Sequence, residues 1–200
     1  MGGIRTESAR LYAQLGALLW RQGALNEAAK ACQAGLATLP DEPAAPGERS
    51  ALLQRLAMVE GVRSTYSCGM DLLTQSLELA RQAGDALLMG AILHNMGYLA
   101  NAQGQQEAAR HYYQESLRLK EETGDIVGVI HTTGNLGLVA LACGDLIKAR
   151  NAFIQVCDLS RQFHMPALLA AALHNLGQLA YEQGAWVEAQ RHLHTAIRLQ

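Results

Sequence analysis

The chain has 200 residues, of which 50% are hydrophobic and only 17% are charged, and its formal charge at pH 7 is −2. A hydrophobic fraction of one half excludes an intrinsically disordered chain, and the near-neutral charge excludes the basic surface that binds nucleic acid or an anionic membrane. Because globular domains typically carry roughly 25% charged residues, something other than charge must occupy this surface.

The first predicted element is a helical hairpin over residues 1–40. Apolar residues three and four positions apart indicate two amphipathic helices, the first of which carries Leu15-Gly16. The second carries Ala28 and, four residues later, Cys32. Gly23 stands between them, and glycine supplies the left-handed conformation that a tight turn between helices requires.

A proline-rich segment, 41–48, is predicted as a linker, and a degenerate hairpin follows over 49–84. This second hairpin has lost both key glycines, and Ser64 stands where the turn glycine is expected. It is assigned by register alone, which aligns Arg55–Met58 with the repeated segment of the later hairpins.

Three further hairpins follow with a period of 40 residues, over 85–124, 125–164 and 165–200. The segment Ala91–Ala100 recurs at Ala171–Ala180 with most residues unchanged. Each hairpin repeats the order of the first: a glycine inside the first helix, a turn glycine, a small residue, and a larger apolar residue. At the joins, Gly84-Asp85 and Gly124-Asp125 indicate that glycine ends one helix and aspartate caps the next.

This order of residues resembles the tetratricopeptide repeat, and the resemblance covers nearly the whole chain outside the linker. The usual unit of that family has about 34 residues. The longer unit here resembles the repeats of kinesin light chain, of Pins-type adaptors and of the sensor domain of the maltose-regulon activator class. The resemblance implies an all-α fold, a right-handed superhelical solenoid of five helical hairpins forming one continuous domain.

Glycines inside the predicted helices need a packing reason, because each costs roughly 1 kcal/mol relative to alanine. The three in the later hairpins are Gly97, Gly137 and Gly177. In a hairpin, a missing side chain lets the partner helix approach, and the family pattern supplies small facing residues such as Ala149 and Ala189. We therefore interpret these glycines as structural.

The resemblance places the first helix of each hairpin on a concave wall, the usual binding surface of such solenoids. The predicted groove residues are Gln14, Arg55, His94, Asn95, Tyr98, His131, Asn135, His174, Asn175, Gln178 and Tyr181. Trp20 and Met58 are further inner positions of the first two hairpins. Since this wall is lined mainly by uncharged Asn, His, Gln and Tyr, we expect a neutral groove that reads backbone amides and apolar side chains.

Asparagine recurs at one repeat position, as Asn95, Asn135 and Asn175. A carboxamide both donates and accepts hydrogen bonds, so a row of them can pair with the backbone of an extended peptide. Asparagines at the matching position of the family commonly do this. The alternative is that repeat duplication copied one residue, or that the amide bonds to the neighbouring helix.

No pattern for nucleotide binding, a metalloprotease or a nucleophile elbow is present. His94 and His174 lie two repeats apart, too far for one metal ion, and the four cysteines sit apart in apolar helical segments. We therefore predict no enzyme activity, no metal and no cofactor, and a reduced, cytoplasmic location.

The leading functional prediction is a non-catalytic module that binds a peptide or protein partner in the groove, without contacts to nucleic acid or membrane. The alternative is a ligand-sensing or regulatory segment of a larger bacterial-type signalling or transcription protein. The last helix carries Leu193 and Ile197 where a further hairpin would pack, so we expect the solenoid to lack a C-terminal cap and to be a fragment or to self-associate through that end.

Overall fold

The computed structural model describes residues 2–40, 45–63 and 66–199, and all of the regular structure in these ranges is α-helical. This confirms the all-α prediction. The described part of the chain forms two compact units that divide between Gly104 and Gln105.

The first unit contains five of the described helices. They are α1 (Gly2–Arg21), α2 (Leu25–Thr38), α3 (Pro46–Val62), α4 (Tyr66–Ala83) and α5 (Ala86–Ala102). Each packs against the next one along the chain, and α3 also contacts both α1 and α5. The first helices of successive hairpins therefore lie side by side in this unit, as the repeat predicts.

The second unit contains the other five described helices. They are α6 (Gln106–Thr123), α7 (Ile126–Ala142), α8 (Leu146–Gln162), α9 (Pro166–Glu182) and α10 (Trp186–Arg198). Each again packs against its neighbour in sequence, around an apolar core that contains Phe153, Leu173 and Leu176. Within the described ranges, no helix combines the length and apolarity needed to cross a bilayer.

The predicted turns and caps are present. Gly23 and Gly144 adopt left-handed φ angles of 77° at the turns of their hairpins. The side chain of Asp85 accepts a hydrogen bond from the Leu88 amide at the start of α5, and Asp125 accepts one from the Gly128 amide at the start of α7. These contacts confirm the two aspartates as N-caps.

The boundary of the second hairpin differs from the prediction. Helix α3 begins at Pro46, inside the predicted linker, because proline is well suited to the first turn of a helix, where its missing amide hydrogen is not needed. Ala45 before it has a left-handed φ of 56°. Residues 41–44 of the linker and Ser64 at the predicted turn lie outside the described residues.

The helix glycines mark close approaches between paired helices. A Cβ atom on Gly137 would lie 2.6 Å from Cε1 of Phe153, and one on Gly177 would lie 2.8 Å from Cγ of Leu193. Both distances are shorter than carbon atoms tolerate. The structural interpretation of these two glycines is therefore confirmed.

Candidate binding surfaces

A cavity of about 260 Å³ opens in the first unit, between α1, α3 and α5. These are the helices that the sequence assigns to the binding wall. The lining residues are Gly16, Ala17, Trp20, Arg21, Gln54, Arg55, Met58 and Asn95. Two predicted site residues, Arg55 and Asn95, therefore meet in one cavity.

The guanidinium of Arg55 is one of two charged groups that line this cavity, and the other is that of Arg21. The Nε atom of Arg55 is buried and has no hydrogen-bond partner in the described structure. Burial lowers the pKa of Arg55, and the group that opposes this shift is the thiol of Cys32. Burial raises the pKa of the Cys32 thiol in turn, and the charge of Arg55 opposes that shift.

The wall of this cavity therefore carries charge, because the predicted groove residue Arg55 lines it. Arg55 occupies the repeat position that holds Asn95 in the next hairpin, 40 residues later. A positively charged side chain therefore stands at the repeat position that holds asparagine in the later hairpins. Arg21 adds a second positive charge to the cavity wall.

A second cavity, of about 130 Å³, lies in the second unit and is lined by residues of α7, α8 and α9. Three predicted site residues, His131, Asn135 and Asn175, line it. Apolar side chains complete the wall, among them Leu138 and Phe153. This surface offers amide and imidazole groups beside apolar contacts.

His131 is held in its neutral form in this cavity. Burial lowers its pKa first, the ammonium of Lys120 lowers it further, and the carboxylate of Asp125 opposes both effects. A neutral imidazole both donates and accepts a hydrogen bond. His131 therefore matches the amide groups around it in chemistry.

The sequence matches the tetratricopeptide repeat family over residues 49–122 and 128–200, which is more than half of the chain. The chain belongs to the tetratricopeptide repeat family. It is also similar to the photosystem I assembly protein Ycf3 of Rippkaea orientalis, with 27% identity over 64% of this chain and 71% of that protein.

Solved tetratricopeptide-type structures share the fold. A Rap protein complexed with Competence and Sporulation Factor superposes with a TM-score of 0.82 at 14% identity, covering all of this chain and 55% of the other. A putative kinesin light chain of Podosopora anserina with TPR-like repeats has a TM-score of 0.75 at 18% identity, covering 98% and 95%. At these identities the likeness shows the fold alone, and it confirms the tetratricopeptide solenoid class.

The other predicted groove residues lie outside the linings of both cavities. His94 is partly buried on α5 and Tyr98 is exposed there, while Gln14 is exposed on α1. Three more are exposed on α9, namely His174, Gln178 and Tyr181. The ring of Tyr181 packs edge-on against Trp186 at a centroid distance of 4.8 Å, so it also covers the start of α10.

In the described ranges, metal-binding and redox groups do not gather at either surface. Among the described residues, no three His, Cys, Asp or Glu side chains come close enough to hold a metal ion. The four cysteines are free, with Cys32 and Cys157 buried and Cys68 and Cys143 exposed. Hydrogen bonding, charge pairing and apolar contact are what the two cavities offer.

A buried lysine that the sequence pattern did not predict lies beside the second cavity. Lys120 is only 5% exposed, and its ammonium donates hydrogen bonds to Thr132 Oγ1 at 3.0 Å and to the Gly128 carbonyl at 3.5 Å. Burial lowers the pKa of Lys120 to about 8, although the charge of Asp125 opposes the shift.

The repeat register was the signal that could have found it. Ala80 and Ser160 stand 40 residues to either side of Lys120, and both are buried. A lysine at a position that is small and buried in the neighbouring repeats indicates a buried charge. Its side chain lies in the space left by Gly128, since a Cβ there would be 2.8 Å from Cδ of Lys120.

Proposed function

We propose that this chain is a non-catalytic binding module that holds a peptide or protein partner against the first helices of its tetratricopeptide hairpins. Proteins of this family are generally non-catalytic interaction modules, and the family assignment supports that role here. No cofactor or metal takes part in the proposed function, and the proposed location is the cytoplasm.

The names of the similar proteins support a role in partner binding. The Ycf3 relative is named for the assembly of photosystem I, and the Rap protein was solved in a complex with Competence and Sporulation Factor. By analogy with these two proteins, we infer a partner-binding role for this chain.

The observation that carries the proposal is the cavity of the second unit. Asn135 and Asn175 come from the same repeat position of two hairpins, and both line it together with His131. Each carboxamide has one donating and one accepting side, so the pair can bond to a peptide backbone while Leu138 contacts a side chain. Repeated amides around an apolar wall are what an extended chain needs.

Replacing Asn135 and Asn175 together with alanine is expected to weaken peptide binding roughly tenfold, because each lost hydrogen bond contributes about 0.5–1.5 kcal/mol. The probe is a fluorescent heptapeptide selected on the unmodified protein from a displayed random library. Fluorescence anisotropy gives the dissociation constant, and circular dichroism melting checks that the double variant folds.

The matched control is Asn151→Ala, because Asn151 is an exposed asparagine on α8 outside the cavity lining. It removes the same group and should leave the affinity unchanged. If the double variant binds as tightly as the unmodified protein, the asparagines are not peptide ligands and the proposal for this cavity is wrong.

Self-association is a second proposed interaction. Helix α10 exposes apolar side chains, with Val187 84% exposed and Ile197 71% exposed, and these could contact a second copy. A Val187→Glu, Ile197→Glu variant should then scatter light as a smaller particle than the unmodified protein at high concentration. A strict monomer in both cases argues against this interaction.

The alternative function, a ligand-sensing segment of a larger signalling or transcription regulator, stays a prediction. An attached DNA-binding, kinase or nucleotide-binding domain in the full-length gene product would favour this alternative over a simple adaptor.

A further inference from the structure

One repeat position changes its chemistry along the chain. Arg55, Asn95, Asn135 and Asn175 are spaced 40 residues apart, so a guanidinium in hairpin 2 stands where the later hairpins carry a carboxamide. Arg55 and Asn95 line the same cavity in the first unit. An amide and a guanidinium are thus brought together on adjacent first helices.

In the part of the chain that the structure describes, Arg55 lacks the carboxylate partner that two other arginines of this unit have. Arg10 forms an ion pair with Glu48 at 2.7 Å, and Arg63 forms one with Glu60 at 3.0 Å. Arg55 has no ion pair in the described residues, and neither an aspartate nor a glutamate lines its cavity. The exposed Arg21 is the second charged group of the lining, and it is also positive.

A partly buried cation without a counter-charge is costly, because burial removes water and no carboxylate replaces it. An anion that enters the cavity offsets this cost. A carboxylate fits best, since its two oxygens match the planar donors of a guanidinium. It is also the anion that an unmodified polypeptide supplies.

We propose that the first unit binds an acidic side chain of a peptide partner, with its carboxylate on Arg55 and Asn95 and a neighbouring apolar side chain on Trp20 and Met58. This inference rests on the proposed function and gives it a specificity. The carboxamide of Asn95 donates a second hydrogen bond to the carboxylate. Trp20 and Met58 form the apolar part of the same cavity wall.

The test uses displayed random heptapeptides with blocked ends, selected separately on the unmodified protein and on the Arg55→Asn variant. Asparagine is the natural residue at this position in three hairpins, so the variant keeps a side chain that the repeat accommodates. We expect an aspartate or glutamate next to an apolar residue to be enriched on the unmodified protein, and the acidic preference to vanish on Arg55→Asn.

Affinities then measure the size of the effect. A selected peptide and its copy with glutamine in place of glutamate are titrated by fluorescence anisotropy at low and at high salt. The glutamate peptide should bind the unmodified protein on the order of 10- to 100-fold more tightly than it binds the Arg55→Asn variant. This difference in affinity should become smaller as the salt concentration rises. The glutamine peptide should bind both proteins alike.

The matched control is Arg5→Gln, which removes the same charge from an exposed position of α1 outside the cavity lining. It should retain the preference for glutamate. Two further peptides, one with phosphoserine in place of glutamate and one with a free C-terminal carboxylate, identify other sources of the anion. Stronger binding of either one than of the glutamate peptide would overturn the assignment to an acidic side chain.

Two NMR resonances show where the glutamate peptide contacts the protein. The Nε–Hε resonance of Arg55 and the indole N–H resonance of Trp20 should both shift on titration with the glutamate peptide.

The melting temperature of Arg55→Asn should be equal to or above that of the unmodified protein, because the variant loses an unbalanced charge. A clear fall in melting temperature would make Arg55 a structural residue and would overturn the proposal.

The outcomes separate this inference from the proposed function. Selected peptides without an acidic preference would contradict the role of Arg55 and leave the binding module intact. A failure to select any peptide would count against both.

Discussion

Replacing Phe153 with alanine is expected to lower the free energy of unfolding of the second unit by about 3–5 kcal/mol. The Phe153 side chain is completely buried and lies in the core cluster with Leu173 and Leu176. Its ring edge packs against Gly137, where a Cβ atom would be 2.6 Å away. Helices α7 and α8 cannot close the resulting void without giving up this fit, so the cost includes a cavity.

The chain provides a reporter for this unit, because its two tryptophans are Trp20 in the first unit and Trp186 in the second. In a Trp20→Phe background, urea unfolding followed by fluorescence reports the second unit alone. The control is Phe163→Ala, which truncates a phenylalanine that is 39% exposed and should cost less than about 1 kcal/mol. Equal losses in the two variants would show that Phe153 does not hold α7 and α8 together.

Replacing Lys120 with methionine is expected to stabilise the second unit at pH 7 by roughly 3 kcal/mol. Burial lowers the pKa of this lysine from its ordinary value of 10.5 to about 8, and each pKa unit corresponds to about 1.4 kcal/mol. The charged form is therefore a net cost in the folded protein at pH 7. Methionine fills a similar volume without that cost.

The sign of the pH dependence follows from the same shift. Below about pH 8 the lysine is protonated in both the folded and the unfolded protein, so its cost is constant. Between about pH 8 and 10.5 the unfolded chain binds the proton more tightly, and the free energy of unfolding rises with pH. Lys120→Met should remove this rise.

The measurement is urea unfolding of both proteins at several values between pH 7 and 10. The matched control is Lys148→Met, because Lys148 is 75% exposed and pairs with Asp145 at the surface. It should change the stability by less than about 1 kcal/mol. A loss of stability in Lys120→Met at pH 7 would mean that the hydrogen bonds to Thr132 and Gly128 outweigh the cost of burial.

His131 supplies an independent readout of the same substitution. The positive charge of Lys120 is the second cause of its lowered pKa, after burial. Removing that charge should raise the pKa of His131, which an NMR titration of the imidazole resonances measures directly.

Much of the fold could be predicted because the residues that form the turns and the helix caps recur in several hairpins. Turn glycines such as Gly23 and capping residues such as Asp85 recur at fixed spacing. The helix boundaries of one hairpin therefore predict those of the next. The start of α3 was less predictable, because Pro46 resembles a linker residue until its place in the first turn of a helix is known.

The candidate site was harder to predict, because its chemistry depends on which side chains share a space. Arg55 was identified as a groove residue from its register, yet its unbalanced charge is visible only once its cavity neighbours are known. Lys120 lies near the end of α6, where a lysine ordinarily complements the helix dipole at the surface. Only its burial shows that this ordinary interpretation fails.

The contact between Lys120 and Gly128 also limits how freely repeats can be exchanged. The equivalent residues one repeat earlier are Ala80 and Leu88, and one repeat later they are Ser160 and Leu168. A leucine grafted at 128 alone would collide with the lysine, while an alanine at 120 alone would leave an unfilled gap. An averaged repeat sequence must therefore exchange the two positions together, because Lys120 fits against a glycine while the neighbouring repeats combine a small residue with a leucine.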